Sequence, residues 1–114
     1  MIRMIIKKAD TNIEHFAKGK IFDYPLPDGK IGISYQEHNG RVPNKGWGVN
    51  KVCYEIYFIV DGKASIFIDN EKAIIEKGDI VIIYPNQKSY IITNNLKLVT
   101  ITSPNWYKKQ YEEV

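Results

Sequence analysis

Three chemically active side chains alternate along one apolar segment of the chain. Cys53, Glu55 and Tyr57 occupy every second position of CYEIYFIV, the segment from residue 53 to residue 60. Because successive side chains of a β-strand point to opposite faces, a strand here places a thiol, a carboxylate and a phenol in one row. Such a row can bind a polar ligand, or Glu55 can act as a general base with a tyrosine as the acid. The alternative is structural: Glu55 is hydrogen-bonded to Tyr or Lys side chains and does no chemistry.

The segment from 53 to 94, which carries these residues, reads as four short β-strands rich in Ile, Val, Tyr and Phe. Asp61-Gly62 separates the first two strands, and Asp69-Asn70 separates the second from the third. Asp-Gly between alternating apolar runs is typical of a hairpin turn, because glycine reaches positive φ without steric cost. The segment therefore predicts an antiparallel meander.

The remaining segments are predicted to complete the same sheet. Further strands are expected at residues 1–6, 20–24, 30–37 and 96–103, with a loop at 38–50 and a turn of helix in the tail after 104. A short helical turn capped by Asp10 or Thr11 is expected before 19, with Phe16 packed on the core. About eight short strands with Gly, Asn and Pro turns predict an all-β sandwich or barrel, and a jelly roll of two antiparallel sheets buries both faces.

Size and charge limit the class of protein. The 114 residues suit one globular domain, and the net charge of +3 comes from 16 scattered Lys and Arg rather than from a basic stripe, so no nucleic-acid partner is expected. One cysteine forms no internal disulfide, which favours a reducing compartment. The sequence lacks a signal-peptide pattern and any run near the ~18 apolar residues of a membrane span. We expect a cytoplasmic protein with no membrane partner.

Two phrases in the central segment resemble the motifs of the cupin superfamily. Glu55 to Gly62, EIYFIVDG, carries the glutamate and the glycine of the first motif at the family's spacing. Gly78 to Ser89, GDIVIIYPNQKS, follows the second motif up to its last position, where the family has histidine. The resemblance spans residues 43–104 and is to small single-domain cupins of type 2. It implies a double-stranded β-helix barrel over 1–114, with N-terminal strands and a short turn in 1–42, the core motifs in 43–104 and a tail in 105–114.

The departures from the cupin motifs bear on metal binding. In metal-dependent cupins two histidines of the first motif and one of the second join the glutamate around Fe, Mn, Zn or Ni. Here the first-motif positions fall near Gly48 to Lys51, none of which is histidine, and Ser89 stands at the last. A first-row metal would keep one of its four usual ligands, so no metal and no other cofactor is expected. An irregular zinc site of His38, Cys53 and Glu55 is the alternative.

The resemblance also implies a site. It places Glu55 inside the barrel, where an ionised carboxylate is costly unless it is paired, so a raised pKa is expected. It directs Ser89 inward, and the loop of residues 40–48 leads to the barrel opening. Trp47 and Cys53 have structural alternatives to ligand binding: Trp47 caps the core, and Cys53 is a small buried apolar group. The candidate ligand-binding residues are Arg41, Trp47, Cys53, Glu55, Tyr57, Tyr84, Lys88, Ser89 and Tyr90, with Glu55 as base and Tyr57 or Tyr90 as acid.

Three functions remain open at this point. The first is a metal-free cupin that binds a small polar molecule, a sugar or an organic acid, in the barrel. The second is an isomerase, epimerase or lyase with Glu55 as its base. The third is a structural or dimerisation domain with Trp106 and Tyr111 on its dimer face. A homodimer is expected in each case, and the apolar start MIRMII is a candidate contributor to its interface.

Overall fold

The computed structural model describes residue 1 and residues 4–114, and most of these residues lie in β-strands. Two turns of 3-10 helix, Lys8–Asp10 and Lys108–Gln110, precede the first strand and the last strand. The all-β prediction is therefore confirmed. The strands are β1 (Asn12–Phe16), β2 (Gly19–Tyr24), β3 (Gly32–Val42), β4 (Gly48–Asn50), β5 (Tyr54–Ile68), β6 (Glu71–Glu76), β7 (Ile80–Ile83), β8 (Lys88–Ser103) and β9 (Tyr111–Glu113).

All strand pairs are antiparallel, and β8 lies at the centre of the arrangement. It pairs with β3 along one edge and with β5 along the other, almost over its whole length. The second edge of β5 pairs with β7 and β6, while β2 and β1 extend the sheet beyond β3. Strands β4 and β9 pair beside the start of β8. The curled sheet forms a jelly-roll barrel, as the cupin-like motifs predict.

The interior of the barrel is divided into an apolar half and a polar half. The apolar half contains the core residues Ile59, Ala64, Ile66, Ile75, Ile83, Ile91, Leu96 and Leu98, all 5% exposed or less. In the polar half, inward positions of β3 and β8 carry Ser34, His38, Thr100 and Thr102, which are also buried. Burial of apolar surface in the first half stabilises the fold, which leaves the second half free for a site.

The central strands are longer than the sequence predicts. Asp61-Gly62 is not a hairpin, because β5 runs through it from Tyr54 to Ile68, and Asn94-Asn95 lies inside β8. The pairing register of β5 shifts on both sides of Gly62, which has φ +86. Glycine there produces a β-bulge that bends β5 over the barrel. The predicted turn at Asp69-Asn70 is present and joins β5 to β6.

The N-terminal segment also differs from its prediction. Met1 and residues 4–6 of the expected first strand are not in a strand, and Ile2 and Arg3 lie outside the described residues. Thr11 ends the 3-10 turn instead of capping its start, since its hydroxyl donates to the Lys8 carbonyl at 2.7 Å. Residues 12–16 then form β1, which leaves Phe16 51% exposed rather than packed on the core.

The glycine-rich segment predicted as a loop from 38 to 50 is mostly strand. β3 continues to Val42, β4 begins at Gly48, and the loop between them covers 43–47. The register with β8 shifts between His38 and Gly40, so the glycine forms a bulge within the strand. The tail gives a 3-10 turn, as expected, and then β9. Within the described part of the chain, no helix is long and apolar enough to span a membrane.

Candidate functional site

The polar half of the barrel opens to solvent through a cavity of about 910 Å³. This volume lies within the range of small-molecule sites. Its walls are inward positions of β2, β3, β5 and β8, and its mouth is bordered by β1 and by the segment after 104. We call Glu55, Tyr57, Thr100 and Thr102 the cavity floor. The other polar residues that line the cavity include Asp23, Ser34, Gln36, His38, Asn50, Ser89 and Tyr111.

Glu55 is the carboxylate of the cavity floor. Its position in β5 pairs with Thr102 of β8 on one side and Ile83 of β7 on the other. Its Oε1 accepts hydrogen bonds from the Tyr57 hydroxyl at 3.1 Å and from Asn50 Nδ2 at 3.2 Å. Burial raises the pKa of Glu55, and the two hydrogen bonds lower it by less. Glu55 therefore has a raised pKa and binds protons more readily than an exposed glutamate.

Tyr57 donates a hydrogen bond to Glu55. Burial, and then the adjacent Glu55 charge, raise the pKa of Tyr57 well above its ordinary value. The phenol is therefore neutral at physiological pH and donates to the carboxylate. The sequence predicted that Glu55 and Tyr57 share a face, and the structure brings the two together on the floor.

Asn50 is held in place by residues from the C-terminal segment. Its Oδ1 accepts from Gln110 Nε2 at 2.8 Å and from Trp106 Nε1 at 3.1 Å, which leaves Nδ2 to donate to Glu55. Gln110 is 2% exposed, and its Oε1 also accepts from the backbone N–H of Cys53 at 3.1 Å. Sequence reasoning missed Asn50 and Gln110. Asn50 lies in the segment 48–51, where the cupin motif has histidines. Its position in the motif could therefore have identified it as a site residue.

His38 ends a chain of hydrogen bonds along the inner face of β3. Its Nε2 is 2.7 Å from Gln36 Oε1, and Gln36 Nε2 donates to the Ser34 hydroxyl at 2.9 Å. Since a carbonyl oxygen only accepts, Nε2 carries the proton and Nδ1 has the lone pair. Burial lowers the pKa of His38, so the imidazole is neutral near pH 7. Sequence reasoning missed Gln36 and Ser34, although the period-two pattern of this strand places both on the His38 face.

Arg41 and Tyr90 border the cavity but interact mainly with each other. The Arg41 guanidinium lies 3.9 Å from the centre of the Tyr90 ring, and that ring stacks on Phe67 at 4.4 Å. Ile91 points into the core, so the neighbouring Tyr90 side chain points to the opposite face of β8. The structure therefore does not bring Tyr90 to Glu55 as an acid. Ser89 lines the cavity, as the motif alignment predicts.

Four of the candidate residues lie outside the cavity lining. Tyr84 is half exposed and packs edge-on against Tyr54 at 5.5 Å. The Lys88 ammonium lies 4.7 Å from the ring centre of Trp47, which packs against Tyr90. Cys53 is fully buried and its thiol donates to the Pro104 carbonyl at 3.4 Å. Burial raises the pKa of this thiol, which makes it unreactive.

The donor set does not fit the metal of the metal-dependent cupins. Across residue 1 and residues 4–114, no three His, Cys, Asp or Glu side chains converge in a group that could hold a metal ion. The structure therefore does not bring His38, Cys53 and Glu55 together, as the irregular zinc site requires. Cys53 is turned towards Pro104, and the Nε2 of His38 is engaged by Gln36, so neither converges with Glu55.

No family model and no curated protein matches the sequence, but solved structures match the fold. A Streptomyces Pac13 variant with a His-to-Gln replacement, with uridine, is 12% identical and has a TM-score of 0.88 over 99% of this chain and 92% of that one. Pac13 is described as a unique nucleoside dehydratase. The Schizosaccharomyces pombe Cnp3 cupin domain is 12% identical, with a TM-score of 0.70 over 85% and 71% of the two chains. KdgF from Halomonas sp. is 10% identical, with a TM-score of 0.75 over 90% and 96%.

These similarities and the strand topology define the class of protein: the chain is a small cupin-fold protein. It keeps the glutamate of the first motif, Glu55, on the floor of the barrel cavity. At the histidine positions of the motifs it has the segment Gly48 to Lys51 and Ser89. At identities of 10–12% the likeness is one of fold.

Proposed function

We propose that the protein binds a small hydroxylated molecule, a nucleoside or a sugar, in the barrel cavity and acts on it by acid–base chemistry. The observation that carries the proposal is the Glu55–Tyr57 pair on the floor of a cavity of about 910 Å³. A carboxylate with a raised pKa next to a neutral phenol, in a concave polar site, is typical of acid–base groups. No metal is required by this arrangement.

The lining favours a nucleoside or sugar over an organic acid. The inner walls carry hydroxyl and amide groups together with the carboxyls of Glu55 and Asp23, and burial raises the pKa of Asp23 as well. These carboxyls accept hydrogen bonds from ligand hydroxyls, and close to Glu55 they disfavour an anionic ligand. The cations of the lining are Lys18, Arg41 and Lys108. At the mouth, the rings of Trp106 and Tyr111 lie 5.6 Å apart and offer apolar surface for a flat heterocycle.

A second candidate is a lyase that removes water from the bound molecule. A base takes a proton from carbon, and the hydroxyl on the adjacent carbon leaves as water after receiving a proton from an acid. Glu55 is the candidate base, and Tyr57 is the candidate acid; neutral His38 is a second candidate base. Pac13 structures with one His-to-Gln and two separate Tyr-to-Phe replacements are described with uridine, and this chain also has a histidine and tyrosines lining its cavity.

Ligand binding tests the proposal directly. Thermal shift and calorimetry with uridine, other nucleosides, free sugars and organic acids are expected to show binding within the first three classes. Glu55→Gln keeps the shape of the side chain but removes a charged acceptor, so we expect affinity to fall by about 10-fold or more. The lyase activity is tested by mass spectrometry of the ligand after incubation, and loss of one water molecule would establish it.

The control variant is Glu71→Gln, an exposed glutamate on β6 that does not line the cavity. It is expected to bind like the parent. The proposal is wrong if no nucleoside or sugar binds the parent protein, or if both variants bind equally well.

A further inference from the structure

Two threonines on the cavity floor carry unpaired hydroxyl groups. Thr100 and Thr102 are 4% and 5% exposed, and their Oγ1 atoms have no hydrogen-bond partner among residue 1 and residues 4–114. A buried hydroxyl without a partner is destabilising, and native proteins contain few of them. Both residues line the cavity, while their Oγ1 atoms are themselves covered, so a ligand reaches the hydroxyl groups once these side chains rotate about χ1.

Thr93, on the same face of β8, provides an internal comparison. It is 4% exposed, but its hydroxyl donates to the Lys63 carbonyl at 2.7 Å and accepts from the Asn95 N–H at 3.2 Å. It does not line the cavity. Burial within β8 therefore does not prevent a threonine from being satisfied, and the unpaired state is confined to the two threonines that line the cavity.

The strand register places acceptors and donors around the two hydroxyls. Thr102 pairs with Glu55 of β5, and Thr100 pairs with Tyr57 of β5 and Ser34 of β3. Directly opposed residues of antiparallel strands lie about 5 Å apart at Cα. Both protein hydrogen bonds to the Glu55 carboxylate use Oε1, so Oε2 is available to a ligand.

We propose that Thr100, Thr102 and Oε2 of Glu55 form a subsite for two neighbouring hydroxyl groups of the ligand. A ligand hydroxyl donates to Glu55 and pairs with Thr102, and the next one pairs with Thr100. The sugar part of a nucleoside then lies on the cavity floor and its heterocycle lies towards Trp106. This inference rests on the proposed function and specifies how the ligand is oriented.

Paired nucleosides test the subsite. The parent is expected to bind uridine about 10-fold more tightly than 2′,3′-dideoxyuridine, which lacks both ring hydroxyls. In the double variant Thr100→Val and Thr102→Val this preference should shrink to about 3-fold or less, because the methyl group keeps the volume and removes the hydrogen bonds. Equal preference in parent and double variant, with uridine bound by both, overturns the subsite and leaves the proposed function standing. Failure of the parent to bind any nucleoside or sugar overturns both.

Stability without ligand gives a second readout. Thr100→Val and Thr102→Val should leave the midpoint of thermal unfolding unchanged or raise it, since they remove unsatisfied groups. Thr93→Val should lower it, because two bonds are lost. If the three single variants are destabilised alike, the hydroxyls of Thr100 and Thr102 are structural and the inference is wrong.

A different observation concerns the outer face of the barrel. The strand register aligns two rows of apolar side chains across the sheet, and Ile80, Ile13, Ile82 and Phe58 in these rows are 43–61% exposed. The first row is Ile13, Phe22, Tyr35, Val99, Phe58 and Ile80; the second is Tyr24, Ile33, Ile101, Ile56 and Ile82. The exposed members lie at the β1 end and at the β5–β7 end, and Phe22 between them is 9% exposed. Exposed apolar surface of this kind marks interaction sites.

A third row beside them is charged, with alternating sign. It contains Lys20, Glu37, Lys97 and Asp61, in order from β2 to β5. Lys20 and Glu37 are 3.7 Å apart, and the hydroxyl of Tyr35, a member of the first apolar row, donates to Glu37 at 2.9 Å, which places this pair on the outer face. Because the charges alternate in sign, this row is electrostatically complementary to the same row of a second copy in reverse order.

We infer that a second copy of this chain covers this face, with a two-fold axis along the strands between β3 and β8. That operation sets Lys20 opposite Asp61 of the second copy and Glu37 opposite Lys97, and it sets the exposed Ile13 opposite Ile80. Such an isologous interface has an apolar centre and a charged rim. Trp106 and Tyr111, the dimer residues expected from the sequence, line the cavity and are not members of these rows.

Light scattering during size-exclusion chromatography tests the dimer. The parent is expected at twice the chain mass, and Ile80→Lys should weaken dimerisation by at least about 10-fold because it buries a charge at the interface. Ile74→Lys is the matched control, since Ile74 is also 61% exposed but lies on β6 outside both rows. A monomeric parent, or a dimer that Ile80→Lys and Ile74→Lys affect equally, overturns the inference.

Discussion

Glu55 is the residue at which burial and hydrogen bonding act in opposite directions. Burial raises its pKa, and the donors Tyr57 and Asn50 lower it by less, so the net shift is upwards from the ordinary value of 4.5. Between 4.5 and the raised value, the folded state holds more protons than the unfolded state. The free energy of unfolding therefore falls as the pH rises through this window.

Glu55→Gln should remove this pH dependence. Well below pH 4.5 the parent carboxyl is protonated in both states, so the variant and the parent should differ little in stability. Above the raised pKa the parent has an ionised buried group, and the variant should be the more stable of the two. Urea unfolding across the pH range measures the difference, with Glu71→Gln as control. A difference that does not grow with pH would contradict the assignment.

At the scale of single residues, the sequence predicts Glu55 and Tyr57 of the site but not Asn50. Alternation along a strand is enough to place Glu55 beside Tyr57. It is not enough for Asn50, because Gln110 and Trp106, which orient its amide, are 60 and 56 residues away in the chain. Contacts over such separations are set by the closure of the barrel and have no local pattern in the sequence.

Among the elements, the bend in β5 decides the shape of the barrel. Gly62 has φ +86, and a Cβ atom at this position would overlap the carbonyl oxygen of Asn95 on β8. Both the conformation and the close approach of two strands require glycine. The bend lets β5 carry Glu55 and Tyr57 in the polar half and Ile66 in the apolar half.

Gly62→Ala is expected to lower the free energy of unfolding by about 2–4 kcal/mol, since it adds a steric overlap to an unfavourable φ. Gly29→Ala is the matched control, because Gly29 also has positive φ, +72, but has open space around its Cβ position. Its cost should be about 1 kcal/mol. Denaturant unfolding of both variants measures the difference, and equal costs would show that the overlap with Asn95 is relieved by a small shift.

The hairpin prediction at Asp61-Gly62 was wrong because a β-bulge and a hairpin turn have the same local sequence signal. Asp-Gly and Asp69-Asn70 both supply positive φ between apolar runs, and the local signal for a turn and for a bulge is the same. At Asp69-Asn70 the chain does turn. At Gly62 the pairing with β8 continues on both sides, with a shift of register, and only the partner strand, distant in sequence, distinguishes the two outcomes.

For the whole molecule, the cupin-like motifs predicted the jelly roll correctly because their glycines and apolar strands specify the scaffold. The cavity follows from the division of the interior into an apolar half and a polar half, which alternation of single strands does not show. The outer apolar rows are also a property of the assembled sheet. Their residues come from β1, β2, β3, β5, β7 and β8, and become neighbours only through the register.

The central position of β8 has a consequence for the rate of folding. β8 joins β3 to β5, and its pairs connect Gly32 with Thr102 and Tyr54 with Ser103. The entropy of closing such long loops is lost before the ladders form, so we expect folding in milliseconds to seconds, as in other β-sandwiches. Until residues 88–103 are in place, one edge of β3 and one edge of β5 lack their partner strand. During synthesis the protein is therefore most prone to aggregation before this segment emerges.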